Sequence, residues 1–206
     1  MDPFANCRIC PRKCGANRMQ GERGVCRMGS KITAARASLH VWEEPCLSGR
    51  NGSGTVFFTG CNLGCVYCQN AAISHQNKGK EITPERLCDI FFALKEQGAQ
   101  NINLVTATHF LPLVLEVVKK AKDSRIGIPF VYNCSGYENV EMLKRAEGLF
   151  DIYLPDFKYR DPLLSGRLSG AYDYPVFAEK ALFEMVNQRG EAVFDEEGMM
   201  IRGVIV

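Results

Sequence analysis

The chain has 206 residues, 46% of them hydrophobic and 23% charged, with a net charge of +2. This length accommodates one domain with a sizeable core, and the near-balanced charge gives no argument for nucleic acid or an anionic membrane as partner. No apolar run reaches the roughly 18 residues that span a bilayer, residues 1–14 lack the apolar stretch of a secretory signal, and the ten tightly spaced cysteines therefore point to metal ligation in a reducing, cytoplasmic compartment rather than to disulfides.

Residues 1–30 form a first, cysteine-rich unit. Cys7, Cys10, Cys14 and Cys26 are spaced C-x2-C-x3-C-x11-C among Arg, Lys and Gly. The segment has too few apolar residues for a core of its own, so a bound metal is the expected source of its stability. Four thiolates suit tetrahedral zinc or a second iron–sulfur cluster, and the spacing does not separate the two. The rival reading is a loop of free thiols packed on the rest of the chain. Residues 31–53 read as a connector, with strand character between Ile32 and Val41. His40, Trp42, Glu43, Glu44, Pro45 and Cys46 then make a compact polar–aromatic group. His40 and Cys46 are either ligands or substrate contacts, or a packed histidine and a buried thiol.

From residue 54 onward, strand and helix patterns alternate, which argues for βα units and a parallel sheet. Strands are expected at Thr55–Thr59, Ile102–Thr106, Phe130–Asn133 and Ile152–Leu154. The first helix starts at an N-cap Thr83, with Pro84 behind it and Leu87, Ile90, Phe91 and Leu94 at helical spacing, and stops at Gly98. Further helices are expected at Leu111–Lys122, Asn139–Ala146 and Pro175–Gln188. A strand at Ala192–Phe194, a turn over 195–198 and an apolar run from Met200 to Val206 follow.

The stretch Gly60–Asn70 comes directly after the first of these strands. Its cysteines, Cys61, Cys65 and Cys68, are spaced C-x3-C-x2-C. Thiolates at such short spacings bind iron–sulfur clusters. A cubane has four irons and this loop offers three ligands, which leaves one iron open to a substrate or cofactor. The alternative is a zinc knuckle or buried free thiols. Polar segments follow the other strands: Thr106-Ala107-Thr108-His109, Asn133-Cys134-Ser135-Gly136-Tyr137 and Pro155-Asp156-Phe157-Lys158-Tyr159. Ligands of parallel α/β sheets and barrels bind at the carboxyl ends of strands. All four segments are therefore expected to face one mouth.

Cys61-Asn62-Leu63-Gly64-Cys65-Val66-Tyr67-Cys68 resembles the signature loop of radical S-adenosylmethionine (SAM) enzymes, with Tyr67 as the aromatic residue before the last cysteine. Over nearly its whole length the chain is similar to radical SAM proteins related to pyruvate formate-lyase activating enzyme. The resemblance implies that Cys61, Cys65 and Cys68 hold a [4Fe–4S] cluster whose open iron chelates SAM. Reductive cleavage then gives a 5′-deoxyadenosyl radical, with a flavodoxin or ferredoxin as electron donor. An activase role adds a protein substrate on which a glycyl radical is made. Many members carry Gly-Gly-Glu after the second strand; here Ala107-Thr108-His109 takes that place, and Thr108 or His109 is the expected substitute contact. Asn133 and Ser135 stand where activases carry Asp-Thr-Asn-Gly. Asp156 and Lys158 match their Asp-x-Lys, and these residues with Tyr67 are the SAM-contact candidates.

The resemblance also implies a (βα)6-type partial barrel over residues 54–206. Four units and one further strand are counted, so the chain reads as truncated at its C-terminus. A bare edge is expected beside the fifth strand. The alternative function is a non-enzymatic zinc or iron–sulfur protein in electron transfer or assembly.

Overall fold

The computed structural model describes residues 2–206. Before residue 33 the chain forms turns and one 3-10 turn at Arg18–Gln20. The elements then run β1 (Thr33–His40), the one-turn α1 (Pro45–Ser48), β2 (Ser53–Phe58), the one-turn α2 (Ala71–Ser74) and β3 (Lys80–Glu81). Next come α3 (Pro84–Glu96), β4 (Ile102–Val105), α4 (Leu111–Asp123), β5 (Phe130–Cys134), α5 (Val140–Arg145) and β6 (Ile152–Pro155). The last elements are α6 (Pro162–Ser169), α7 (Tyr174–Arg189), β7 (Val193–Phe194) and β8 (Met200–Val204).

Among the described residues eight strands form one sheet in the order β3-β1-β2-β4-β5-β6-β8-β7. Strands β2, β4, β5, β6 and β8 are mutually parallel, and β3, β1 and β7 pair antiparallel. The alternating pattern after residue 54 thus produces the parallel sheet it predicts. Strand β2 is buried on both faces, as expected between neighbours in a parallel sheet. Gly54 is required there, because a Cβ would lie 2.8 Å from Ala99 Cβ and 2.9 Å from the Asn101 carbonyl oxygen.

Helix α3 begins as its capping residues dictate. The Thr83 side chain accepts from the Arg86 N–H, and Leu87, Cys88, Phe91 and Leu94 form the buried stripe. Phe91 meets Phe130 of β5 edge-on at 5.3 Å. In α4 the proline falls in the first turn, where its missing N–H costs nothing.

Three expectations change. Residues 31–53 are more than a connector: β1 pairs with β2 along its length, His40 opposite Ser53. Helix α6 was not expected. Its signals are orthodox, with Asp161 accepting from the Leu163 N–H, Pro162 behind it and Gly170 left-handed at the end. An internal Gly166 obscures them, and Tyr172 explains that glycine: a Cβ would lie 2.2 Å from its ring. The edge beside the fifth parallel strand is not bare. β7 covers β8 with Val193 opposite Arg202, through a turn in which Asp195 Oδ1 accepts from the Glu197 and Met199 N–H groups. Among the described residues the parallel strands number five, in an order whose end strands are β3 and β7.

Candidate functional site

At the end of β2, Gly60 turns the chain out of the sheet with φ 83°. A Cβ there would sit 2.7 Å from the Cys26 carbonyl oxygen and 2.6 Å from Met28 Cγ. Only glycine lets the loop leave β2 while the N-terminal unit presses against it. The loop then presents Cys61, Cys65 and Cys68 to a cavity of about 540 Å³. The same cavity receives Tyr67 from the loop, Asn133 and Ser135 from the end of β5, and Asp156 and Lys158 from beyond β6. Three segments spread over more than 90 residues of sequence thus open on one mouth at the carboxyl ends of the strands.

Each thiol has a polar partner. Cys61 Sγ accepts from the Leu63 N–H at 3.4 Å, Cys65 Sγ from Ser169 Oγ at 2.9 Å, and Cys68 Sγ lies 3.2 Å from Ser74 Oγ. Tyr67 and Tyr159 hydroxyls meet at 2.5 Å, and Tyr159 reaches Ser169 Oγ at 2.6 Å. A chain of hydroxyls therefore ends on the middle cysteine. Burial pushes the Cys61 thiol up to about 12, so the metal-free loop keeps that proton and a metal must displace it.

Lys158 Nζ lies 2.5 Å from Asp156 Oδ2. Burial works against its charge, but the Asp156 carboxylate and the sulfurs of Cys65 and Cys61 outweigh it, and its pKa is raised. The mouth thus keeps a fixed cation beside the thiols. The Tyr174 hydroxyl ties the two supporting strands together: it accepts from the Lys158 N–H at 2.8 Å and donates to the Ser135 carbonyl at 2.8 Å. Ser135 Oγ is buried, faces the cavity and has no partner in the protein. A buried hydroxyl without a partner costs about 1–3 kcal/mol, and a bound polar ligand would remove that cost.

Thr108 and His109 are not brought to the mouth. The 3-10 turn at Thr108–Phe110 directs both side chains into the protein. Thr108 Oγ1 donates to Glu138 Oε1 at 2.6 Å, and the Tyr132 hydroxyl donates to Glu138 Oε2 at 3.1 Å. Burial raises Glu138 to about 7. His109 is lowered to about 3 by burial. Neutral, it donates its Nε2–H to the Thr59 carbonyl at 2.7 Å. The residue that occupies the mouth after β4 is instead Thr106, held left-handed at φ 60° while its N–H donates to the Asn133 carbonyl at 2.9 Å. A β-branched residue in that region is strained, and such strain gathers at functional sites.

His40 and Glu43 line the cavity from the far side of β1, with burial raising Glu43 first and the nearby Glu44 and Asp156 adding to it. Cys46 lies elsewhere, on a separate cavity of about 710 Å³ shared with Gly49 and Met199. Thr106 and Tyr159 belong to the polar segments expected at the mouth, whereas nothing in the sequence pattern marks Ser169 for the site. Ser169 reaches Cys65 from 104 residues away.

All ten cysteines are free. Cys7, Cys10 and Cys26 are buried and Cys14 is exposed. Among the described residues no three His, Cys, Asp or Glu side chains gather closely enough to hold one metal ion. Tetrahedral zinc needs its sulfurs within about 2.3 Å of one point. A cube of iron and sulfide several ångströms across takes its ligands from thiols set further apart, and the donor chemistry of Cys61, Cys65 and Cys68 around a roomy cavity fits such a cluster.

The family model of the radical SAM superfamily matches residues 55–174, the span from β2 to the start of α7. An uncharacterized protein of Methanocaldococcus jannaschii is 31% identical over 210 residues, covering 98% of this chain and 57% of the relative. The chain therefore spans little more than half the length of that curated relative.

Proposed function

The chain belongs to the radical SAM superfamily, a membership that implies a [4Fe–4S] cluster and SAM, and we propose that Cys61, Cys65 and Cys68 are the cluster ligands and that the 540 Å³ cavity beside them receives SAM. The observation that carries this reading is the convergence of the three thiols with Asn133, Ser135, Asp156 and Lys158 on one mouth. When bound and reduced, the cluster supplies the electron that splits SAM to the 5′-deoxyadenosyl radical. The protein's own residues bind and orient. Among the described residues, Ser135 Oγ is the one unpartnered buried hydroxyl facing the cavity. Lys158 and Asp156 offer a cation and an anion for the charged methionine end of SAM. Tyr67, pinned to Tyr159, walls the cavity beside Cys68. Enclosure keeps water from reactive species.

As substrate class we infer a glycine of a partner enzyme, the activase role, with a flavodoxin- or ferredoxin-like electron donor. Two features support it: the Asp156-Phe157-Lys158 resemblance and the exposed aromatics Trp42 and Tyr67 at the open mouth, which suit a polypeptide better than a small polar molecule. The five parallel strands are read as part of a (βα)6-type barrel. The ten free thiols suit the cytoplasm.

The test is anaerobic reconstitution with iron and sulfide, followed by SAM titration under electron paramagnetic resonance and assay of 5′-deoxyadenosine. A cluster whose spectrum shifts with SAM, lost on Cys61→Ala, is the expected result. A reconstituted cluster indifferent to SAM overturns the reading.

A further inference from the structure

Arg18 is 2% exposed, and no carboxylate among the described residues forms an ion pair with it. Its Nη1 donates to the His109 carbonyl at 2.7 Å and lies 3.7 Å from Cys7 Sγ. Its Nε and Nη2 donate to the Gly29 carbonyl at 3.1 and 2.5 Å, and its guanidinium stacks 4.6 Å from the Phe4 ring. A guanidinium cannot shed its proton, and a buried charge with no counter-charge is strongly unfavourable. Carbonyl oxygens and aromatic faces solvate it in part but bring no negative charge. The group in contact with it that can become an anion is the Cys7 thiol, and Cys26 is buried in the same cluster of side chains as Cys7. Cys14 Sγ lies 3.9 Å from the Cys7 carbonyl oxygen. Four thiols and one unpaired buried cation therefore share the N-terminal unit.

We propose that Cys7, Cys10, Cys14 and Cys26 hold a second iron–sulfur cluster, with Arg18 as its buried counter-cation. The net negative charge of a four-thiolate cluster supplies what Arg18 lacks. An iron–sulfur cluster is favoured over zinc because membership of the radical SAM superfamily already implies iron–sulfur loading of this chain, and four thiolates suit such a cluster. The chain already folds for tight ligation. Lys13 N–H donates to the Cys10 carbonyl at 3.1 Å, Gly15 N–H to the Cys7 carbonyl at 3.0 Å and Arg27 N–H to the Gly24 carbonyl at 2.9 Å, so each sharp turn carries or adjoins a cysteine.

The site is also joined to the catalytic loop. Arg12, two residues beyond Cys10, donates through Nε to the Asn62 carbonyl at 2.8 Å and through Nη2 to the Ser169 carbonyl at 3.1 Å. The Cys26 carbonyl touches Gly60. The second cluster braces the segment against which the first cluster's loop is built. This inference concerns cysteines that the SAM site does not use.

Iron and sulfide content of the anaerobically reconstituted full chain tests it, together with a variant in which Cys61, Cys65 and Cys68 are all alanine. The native chain should hold about eight irons, and the variant about four, with a reduced-state resonance signal that does not respond to SAM. Replacing Cys7 and Cys10 by alanine should leave about four irons whose signal does respond to SAM. A native chain with about four irons, all lost in the triple variant, overturns the second cluster and leaves the SAM reading intact. Stoichiometric zinc on the N-terminal cysteines overturns it as well. About four irons lost only with Cys7 and Cys10 would instead sink the SAM reading.

Discussion

Ser169, the last residue of α6, donates its hydroxyl to Cys65 Sγ at 2.9 Å across 104 positions of sequence. Arg12 holds the same Ser169 through its carbonyl oxygen. The middle cysteine of the loop is thus supported from the far side of the domain and from the N-terminal unit together. Partners that hydrogen-bond a metal ligand typically set affinity by about 10–100-fold. Ser169→Ala should weaken cluster retention by about 10-fold, read as faster iron loss to a chelator, with the overall fold unchanged by circular dichroism. Iron loss at the native rate would show that the contact does nothing for the cluster.

Gly136 stands at φ 72° between β5 and β6, and a Cβ there would lie 2.4 Å from the Asp156 carbonyl oxygen. Gly136→Ala should push apart the strand ends that carry Ser135 and Asp156. The strain is expected to cost about 1–3 kcal/mol of stability. The atoms such a Cβ would meet belong to Asp156 and Tyr174 and not to the cysteines, so iron content should stay native while SAM affinity falls at least about 10-fold, a loss of about 1.4 kcal/mol. Native SAM affinity in this variant would remove Ser135 and Asp156 from the binding site.

Lys158 is the cation at the mouth, and Lys158→Met keeps its length without its charge. Loss of a charged hydrogen bond to SAM should raise the dissociation constant by roughly 10–100-fold, equivalent to about 1.5–3 kcal/mol. Titration calorimetry on the reconstituted protein reads this directly. Equal affinity in the variant would assign Lys158 to a surface ion pair with Asp156 and nothing more.

Glu138 makes the folded state sensitive to pH. Its folded pKa is about 7, raised from the model-compound value of 4.5 by burial. The folded protein therefore holds this proton more tightly than the unfolded chain. Stability is full below pH 4.5 and falls as pH rises towards 7, by roughly 3 kcal/mol at most. His109, whose folded pKa is lowered to about 3, acts the other way, losing stability as pH falls below about 6.5. Comparison of native protein with Glu138→Gln isolates the first effect: the variant should gain relative stability between pH 5 and pH 8 in urea unfolding. Parallel curves for the two proteins would mean that Glu138 stays ionised when folded.

Thr108 tests the relocation of the residues after β4. Thr108→Val removes the hydroxyl that donates to Glu138 at 2.6 Å. It should destabilise the protein by about 1–3 kcal/mol and leave SAM affinity of the folded fraction unchanged. A SAM-binding defect without a stability defect would return Thr108 to the cavity.

Much of the site was legible because its signals are local. C-x3-C-x2-C is a statement about one loop, and the alternation of strand and helix places that loop and the polar segments after β5 and β6 at the same end of a parallel sheet. Asn133, Ser135, Asp156 and Lys158 accordingly line the cavity. Thr108 and His109 were misplaced because a 3-10 turn at Thr108–Phe110 follows the left-handed Thr106 and directs those side chains into the core. Residue order along a segment says which strand end it belongs to, but not which way each side chain points once the backbone leaves the strand.

The superfamily, the parallel α/β sheet and the spacing of the three loop cysteines were determined by the sequence alone, because spacing and periodicity are properties of neighbouring residues. The partners of those cysteines were decided only in three dimensions. Ser169 meets Cys65, Arg12 meets Asn62 and Cys26 meets Gly60 because the sheet and its helices bring distant segments into contact. The buried, unpaired charge of Arg18 became visible in the same way: burial belongs to the packed molecule, and no pattern along the chain reports it.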